Sequence, residues 1–122
     1  MRFSALLYIL FRILKRAASR KRAFQNYIGN IHGVRIMIKT ADNRRGRLFI
    51  FDKDGVSSRR GAKHTYDAAI IWSDASTAFK VMSSMSDEAS FLAAAEGKMK
   101  LDGMAFFAQW FNDGVKIAMG KN

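Results

Sequence analysis

The period of the apolar residues switches along this chain, and the order of the switches constrains the fold more than any single motif. Phe3, Leu6, Leu7, Leu10, Ile13, Leu14 and Ala17 recur at helical spacing and make one face of a helix. From Val34 the period drops to two. Val34, Ile36 and Ile38 share one side, and Arg35, Met37 and Lys39 share the other. Residues 47 to 52 are apolar on both faces, the pattern of a strand with a neighbour on each side. Residues 68 to 73 read as the next strand. Helical spacing then returns in Ala75, Ala78, Phe79 and Met82, and again in Ala89, Phe91, Leu92 and Ala95. Met99 and Leu101 alternate once more before a last helix from Met104 to about Met119. The predicted order is a helix, three strands, two helices, a strand and a helix. That is a mixed α+β domain.

Turn and cap residues punctuate the same plan. Residues 42 to 46 form a turn cluster. Asp52-Lys-Asp-Gly55 has the opening of a calcium loop, but Val56 and Lys63 stand where that loop needs oxygen ligands, so it reads as a hairpin turn. Residues 56 to 64 are polar and basic. Ser73 or Asp74 caps one helix and Ser86 or Asp87 caps the next, which Gly97 ends. The last helix carries a main stripe of Met104, Phe107, Ala108, Phe111, Val115 and Ala118, and a second of Phe106, Trp110 and Ile117. Two stripes are more apolar face than one sheet contact consumes. The surplus either fills a core or lines a cavity, and methionine suits an adaptable apolar surface.

Composition narrows the chemistry. The 122 residues include no cysteine and no proline, which removes disulfides, thiolate chemistry and Cys-based zinc sites. His32 and His64 are too few and too far apart for an ordinary zinc cluster. The net charge is +11, all of it in the first half: residues 1 to 63 carry 16 basic and 3 acidic groups. A basic half beside a near-neutral one suits an anionic partner. The apolar run from Ala5 to Phe11 is far shorter than the roughly 20 residues of a membrane span. The positive block that follows it is not the layout of a signal peptide. Two readings of the first helix stand open: it packs on its own domain, or it lies in a membrane interface. Tyr8, Ile9 and Phe11 widen its apolar arc beyond one packing face.

One segment carries a family resemblance. Residues 91 to 111 run FLAAAEGKMKLDGMAFFAQWF, with Gly97, Lys98, Met99, Lys100, Leu101 and Gly103 in the pattern Gly-Lys-apolar-Lys-apolar-x-Gly before an apolar helix. This resembles the signature of sterol carrier protein two domains. Tyr66 to Asp74 resembles that family's strand leading into a capped helix, and the overlap extends over residues 25 to 120. The resemblance implies a five-stranded mixed sheet with helices covering one face and an apolar tunnel. It implies binding of a sterol, fatty acyl, phospholipid or isoprenoid ligand, with no catalytic residues and no cofactor.

The expectations are therefore specific. Residues 1–24 form a basic amphipathic helix and residues 25–122 a lipid-binding domain. Phe79, Met82, Phe91, Met99, Leu101, Met104, Phe107, Ala108 and Phe111 line the tunnel. Arg12, Lys15, Arg16, Arg20, Lys21 and Arg22 dock on an anionic membrane, each worth about 1 kcal/mol near such a surface. The partners are an apolar small molecule, the inner membrane surface seen from the cytoplasm, and a lipid-modifying enzyme complex; exposed aromatics on the last helix would suit a homodimer. Two other classes stand beside this one. Arg44, Arg45, Arg47, Arg59, Arg60 and Lys63, with Phe49 and Phe51 to stack bases, would suit a nucleic-acid-binding module. An enzyme would need Asp67, Asp74, His64 and Ser73 drawn together, which their spacing does not require.

Overall fold

A computed structural model describes residues 2–120. The elements run α1 (Arg2–Arg20), α2 (Arg22–Ile28), β1 (Val34–Thr40), β2 (Gly46–Asp52), β3 (Gly55–Arg60), β4 (Ala68–Trp72), α3 (Ala75–Ser84), α4 (Asp87–Ala95), β5 (Met99–Gly103) and α5 (Ala105–Ala118). The five strands form one mixed sheet in the order β3-β2-β1-β4-β5. β1 and β4 are parallel, and the other three pairs are antiparallel. Register places Ile38 opposite Ile70, and Ile70 opposite Leu101, so these share a face with Ile36, Phe49, Phe51, Trp72 and Met99. Every helix contributes to the core on that face. The opposite face holds a smaller cluster of Met37, Leu48 and Ala69 beneath Tyr66. Tyr66 belongs to the connection that crosses from β3 to β4. That connection is tied down where Arg35 Nε donates to the Thr65 carbonyl at 3.0 Å, the Arg35 amide donates to Asp67 at 2.8 Å, and the Tyr66 hydroxyl donates to Asp102.

Two elements are absent from the sequence reading. β3 was expected to be connection, because only Val56 among its residues is apolar. It is an edge strand, buried at Val56 under α1, and its charged remainder suits an edge that must not pair with another chain. α2 arises because Lys21 is extended (φ −111°, ψ 113°) and breaks the first helix. Phe24 and Ile28, four residues apart, then bury one short face. The boundary expected at residue 24 thus falls inside α2, whose two buried residues join the common core. The Asp52–Gly55 turn does form a hairpin, connecting β2 to β3 through Lys53 and Asp54.

Packing is uneven across the helical layer. α1 buries Phe3, Leu7, Leu10, Leu14 and Ala17. α2 and α5 lock through Tyr27, whose ring stacks on Trp110 at 5.4 Å and whose hydroxyl donates to the Trp110 carbonyl at 2.8 Å. Burial raises the Tyr27 pKa, with Asp113 adding to the effect. Phe51 meets Trp110 and Phe111 edge-on at 5.0 and 5.7 Å, and Phe49 meets Phe111 at 5.6 Å. Lys21 Nζ donates to the Ala118 carbonyl at 2.8 Å, a cation on the negative end of α5. α3 and α4 are different. Asp74 caps α3 through the Thr77 amide and Ser86 caps α4 through the Ala89 amide, but each helix buries only one alanine, Ala78 and Ala93.

Gly103 explains the second glycine of the motif. Its φ is 78°, and a Cβ there would lie 2.3 Å from the Asp67 carbonyl oxygen. The chain must pass this close because the Met104 amide donates to that same oxygen at 3.0 Å, which joins the end of β5 to the start of β4.

Candidate ligand cavity

A cavity of about 740 Å³ lies between the helix-covered face of the sheet and α1, α3, α4 and α5. Ile38, Ile70 and Trp72 form its floor with Met99 and Leu101. α1 supplies Leu6, Ile9, Leu10 and Ile13 as one wall. α3 and the loop after it supply Val81, Met82 and Met85, and α5 supplies Ala108, Phe111 and Val115. The cavity is partly open. Ile9, Met85, Phe91, Leu101 and Phe106 line it and are also exposed, Phe91 and Phe106 by 75% and 71%. Among the described residues, polar groups gather along one lip, between the start of α4 and α5: Ser86, Asp87, Ser90, Gln109, Asn112 and Lys116. Trp72 is buried on the floor and its indole N–H has no hydrogen-bond partner among the described residues, a strain of about 1–3 kcal/mol.

Six of the nine expected lining residues come together here: Met82, Phe91, Met99, Leu101, Ala108 and Phe111. Phe79, Met104 and Phe107 do not line the cavity. Phe79 turns toward the start of α1, where the Arg2 guanidinium lies 5.8 Å from its ring centre. Met104 is the exposed residue before α5. Phe107 is half-buried and meets Phe106 edge-on at 5.5 Å. A helical stripe says which side of α5 is apolar, and it cannot say how much of that side the sheet fills. The missed wall is α1. Its signal was present in the wide apolar arc, because Leu6, Ile9 and Ile13 flank the packed stripe on the side that faces the hollow.

The apolar stripe of α1 packs on its own domain, which answers the question its sequence left open. The basic face remains outside. Arg12, Lys15, Arg16, Arg20, Lys21 and Arg22 are all exposed. No salt bridge involves them among the described residues. Ile9 and Ile13 border both the cavity and the outer groove that holds Arg12, Lys15 and Arg16, so the basic face adjoins the mouth. No helix among the described residues is long and apolar enough to cross a membrane.

The residues of the other two classes have different surroundings. Phe49 and Phe51 are buried beneath the helices and present no ring on which a base could stack. Arg47 lies under α1, with its guanidinium 5.4 Å from the Tyr8 ring centre and donating to Ser58 Oγ at 2.8 Å. Burial lowers its pKa, and the neighbouring Arg60 lowers it further. Asp74 is engaged by Thr77 and Ser73, Asp67 by the Arg35 amide, and His64 Nε2 by the Arg60 carbonyl. No group of three or more His, Asp or Glu residues suited to a metal ion occurs among the described residues.

No protein-family model matches the chain, and no curated protein matches it. Solved structures do. A ubiquinone synthesis protein, UbiJ-SCP2, superposes with a TM-score of 0.67 at 13% identity, covering 97% of this chain and 92% of that one. Sterol carrier protein 2 from Yarrowia lipolytica, in its apo form, superposes with a TM-score of 0.57 at 16% identity, covering 94% and 91%. The sterol carrier protein domain 2 of Helicoverpa armigera gives 0.54 at 16%, covering 92% and 87%. The chain has the fold of these sterol carrier protein two domains, as the Gly97–Gly103 segment led us to expect.

Proposed function

We propose that this protein is a non-catalytic lipid carrier that holds a sterol, fatty acyl, phospholipid or isoprenoid ligand in the cavity. The observation that carries the reading is the hollow itself: about 740 Å³ of space walled by aliphatic and aromatic side chains, with exposed Phe91 and Phe106 at its mouth. A soluble domain does not leave such an apolar surface open without use. Each buried CH2 of a ligand adds about 0.8 kcal/mol, so a long chain offsets its ordering costs. The likeness in fold to proteins named for sterol carriage and ubiquinone synthesis supports the same class. Gentle purification followed by organic extraction and mass spectrometry tests it. The expected result is a stoichiometric lipid. A protein that comes out empty and then binds no added lipid would remove the reading. Ala108→Trp, which fills the cavity from a buried position on its wall, should lower lipid retention while the protein stays folded.

The basic face of α1 is the membrane-docking surface in this reading. It acts from the cytoplasm on the inner, anionic face of a membrane, with the mouth turned toward the bilayer. Because α1 also walls the cavity and supplies core, its removal would unfold the domain, and charge reversal is the usable test. Arg12→Glu with Lys15→Glu and Arg16→Glu should abolish cosedimentation with phosphatidylglycerol vesicles and leave binding of a soluble lipid probe intact. Undiminished cosedimentation would refute the docking role.

A further inference from the structure

The polar lip of the cavity bears on the kind of head group its ligand carries. It lies between the start of α4 and the middle and last turn of α5, where Lys116 reaches across to Asp87. Its one cation among the described residues, Lys116, is already bonded to Asp87, with Nζ 2.7 Å from the carboxylate oxygen. That contact holds the Asp87 carboxyl below the usual carboxylate range, and Asn112 assists. It also raises the Lys116 pKa, to which Asp113 adds. Gln109 donates to Asp113 at 3.0 Å, and the Ser86 hydroxyl is occupied in capping α4. The Ser90 hydroxyl makes no hydrogen bond among the described residues and lines the cavity beside them. The lip is therefore polar and internally neutralised. An anionic head entering it meets an ammonium that the Asp87 carboxylate already holds. A cationic head meets the ammonium itself. An uncharged head can use the Ser90 hydroxyl and the remaining Lys116 hydrogens without breaking the Asp87 contact. Arg12 and Arg16 line the outer groove and not the cavity.

We propose that the cavity selects an amphiphile with a single uncharged hydrogen-bonding head, a hydroxyl or carbonyl, seated at the α4–α5 lip with its tail over Trp72 and Ile70. The inference rests on the carrier reading and narrows its ligand class. Dodecanol and dodecanoate, which share a chain and differ in head charge above the carboxylate range, are titrated against bound 1-aminoanthracene. The wild type should prefer dodecanol by about tenfold or more. An alcohol also enters any apolar site more easily than a carboxylate, so the decisive readout is the ratio in two charge variants. Asp87→Asn releases Lys116 and should tighten dodecanoate by about fivefold relative to dodecanol. Lys116→Gln leaves Asp87 uncompensated and should weaken dodecanoate further. Both sites are at the surface end of the lip, outside the apolar wall. Equal affinity for the two probes in the wild type, or a ratio that neither variant moves, overturns the selection. Displacement by neither probe overturns the carrier reading, and this inference with it.

Discussion

The two halves of the helical layer cover the same sheet face in different ways. In one half, α1, α2 and α5 insert large side chains into the core: Phe3, Leu7, Phe24, Ile28 and Phe111 are all buried. Over β4 and β5, α3 and α4 bury only Ala78 and Ala93. One half is a close-packed core and the other is hollow. The difference lies in side-chain volume at the inward positions rather than in the number of apolar residues. The hollow half is rich in Met and Phe, but those residues stand around the space or at its rim. A lining of this kind stays open because no inward side chain is long enough to fill it, and methionine can follow the outline of whatever enters.

Substitutions can break this contrast, beginning with the largest effect. Phe49→Ala, in the packed half, should cost about 3–5 kcal/mol in urea unfolding, because the Phe111 ring against it, itself held edge-on by Phe51, cannot collapse into the gap. Gly103→Ala should cost about 2 kcal/mol or more in the same measurement, since it meets both a left-handed backbone and the Asp67 carbonyl. If that variant were neutral, the close approach of β5 to β4 would not be what fixes the hollow half. Met82→Ala should cost only about 1 kcal/mol, below the range for a buried methionine, because its side chain is half-buried and already borders empty space. A loss equal to that of Phe49→Ala would mean the two halves are packed alike.

The smallest expected effect concerns the cap that orients α3. The Thr77 amide and hydroxyl hold the Asp74 carboxyl below its ordinary pKa. Its contribution is complete above the unfolded value near 3.9 and is lost as pH falls through the lower folded value. Removing the cap by Asp74→Ala should cost about 1 kcal/mol or less near neutrality. The mutant and the parent should converge in stability at strongly acidic pH. A constant difference across that range would show that the cap does not act through the ionised carboxylate.

Much of the architecture was legible because period and punctuation are local. Val34, Ile36 and Ile38 announced β1 by alternation, the two-sided run at residues 47 to 52 announced an inner strand, and Asp74, Ser86 and Gly97 marked helix ends. β3 was not legible, because an edge strand buries one side chain and its pairing is paid out in backbone hydrogen bonds that leave no sequence period. α2 was not legible either, since two buried residues in seven make too short a pattern. Within the cavity, Met82, Phe91, Met99, Leu101, Ala108 and Phe111 could be named from stripes that continue past one packing face. Phe79, Met104 and Phe107 carry the same signal and lie elsewhere.

The sequence by itself determined the order of the elements other than α2 and β3, the faces of β1, the caps of α3 and α4, and the concentration of positive charge in the first half of the chain. These follow from spacing along the backbone and from the side chain's own chemistry. The tertiary structure alone decided that α1 turns its apolar stripe inward and also walls the cavity. It alone brought Asp87 to Lys116 across 29 positions and left the space over β4 and β5 unfilled. Those outcomes depend on which helices cross the sheet, at what distance, and with what volume between them, and a one-dimensional pattern contains none of the three.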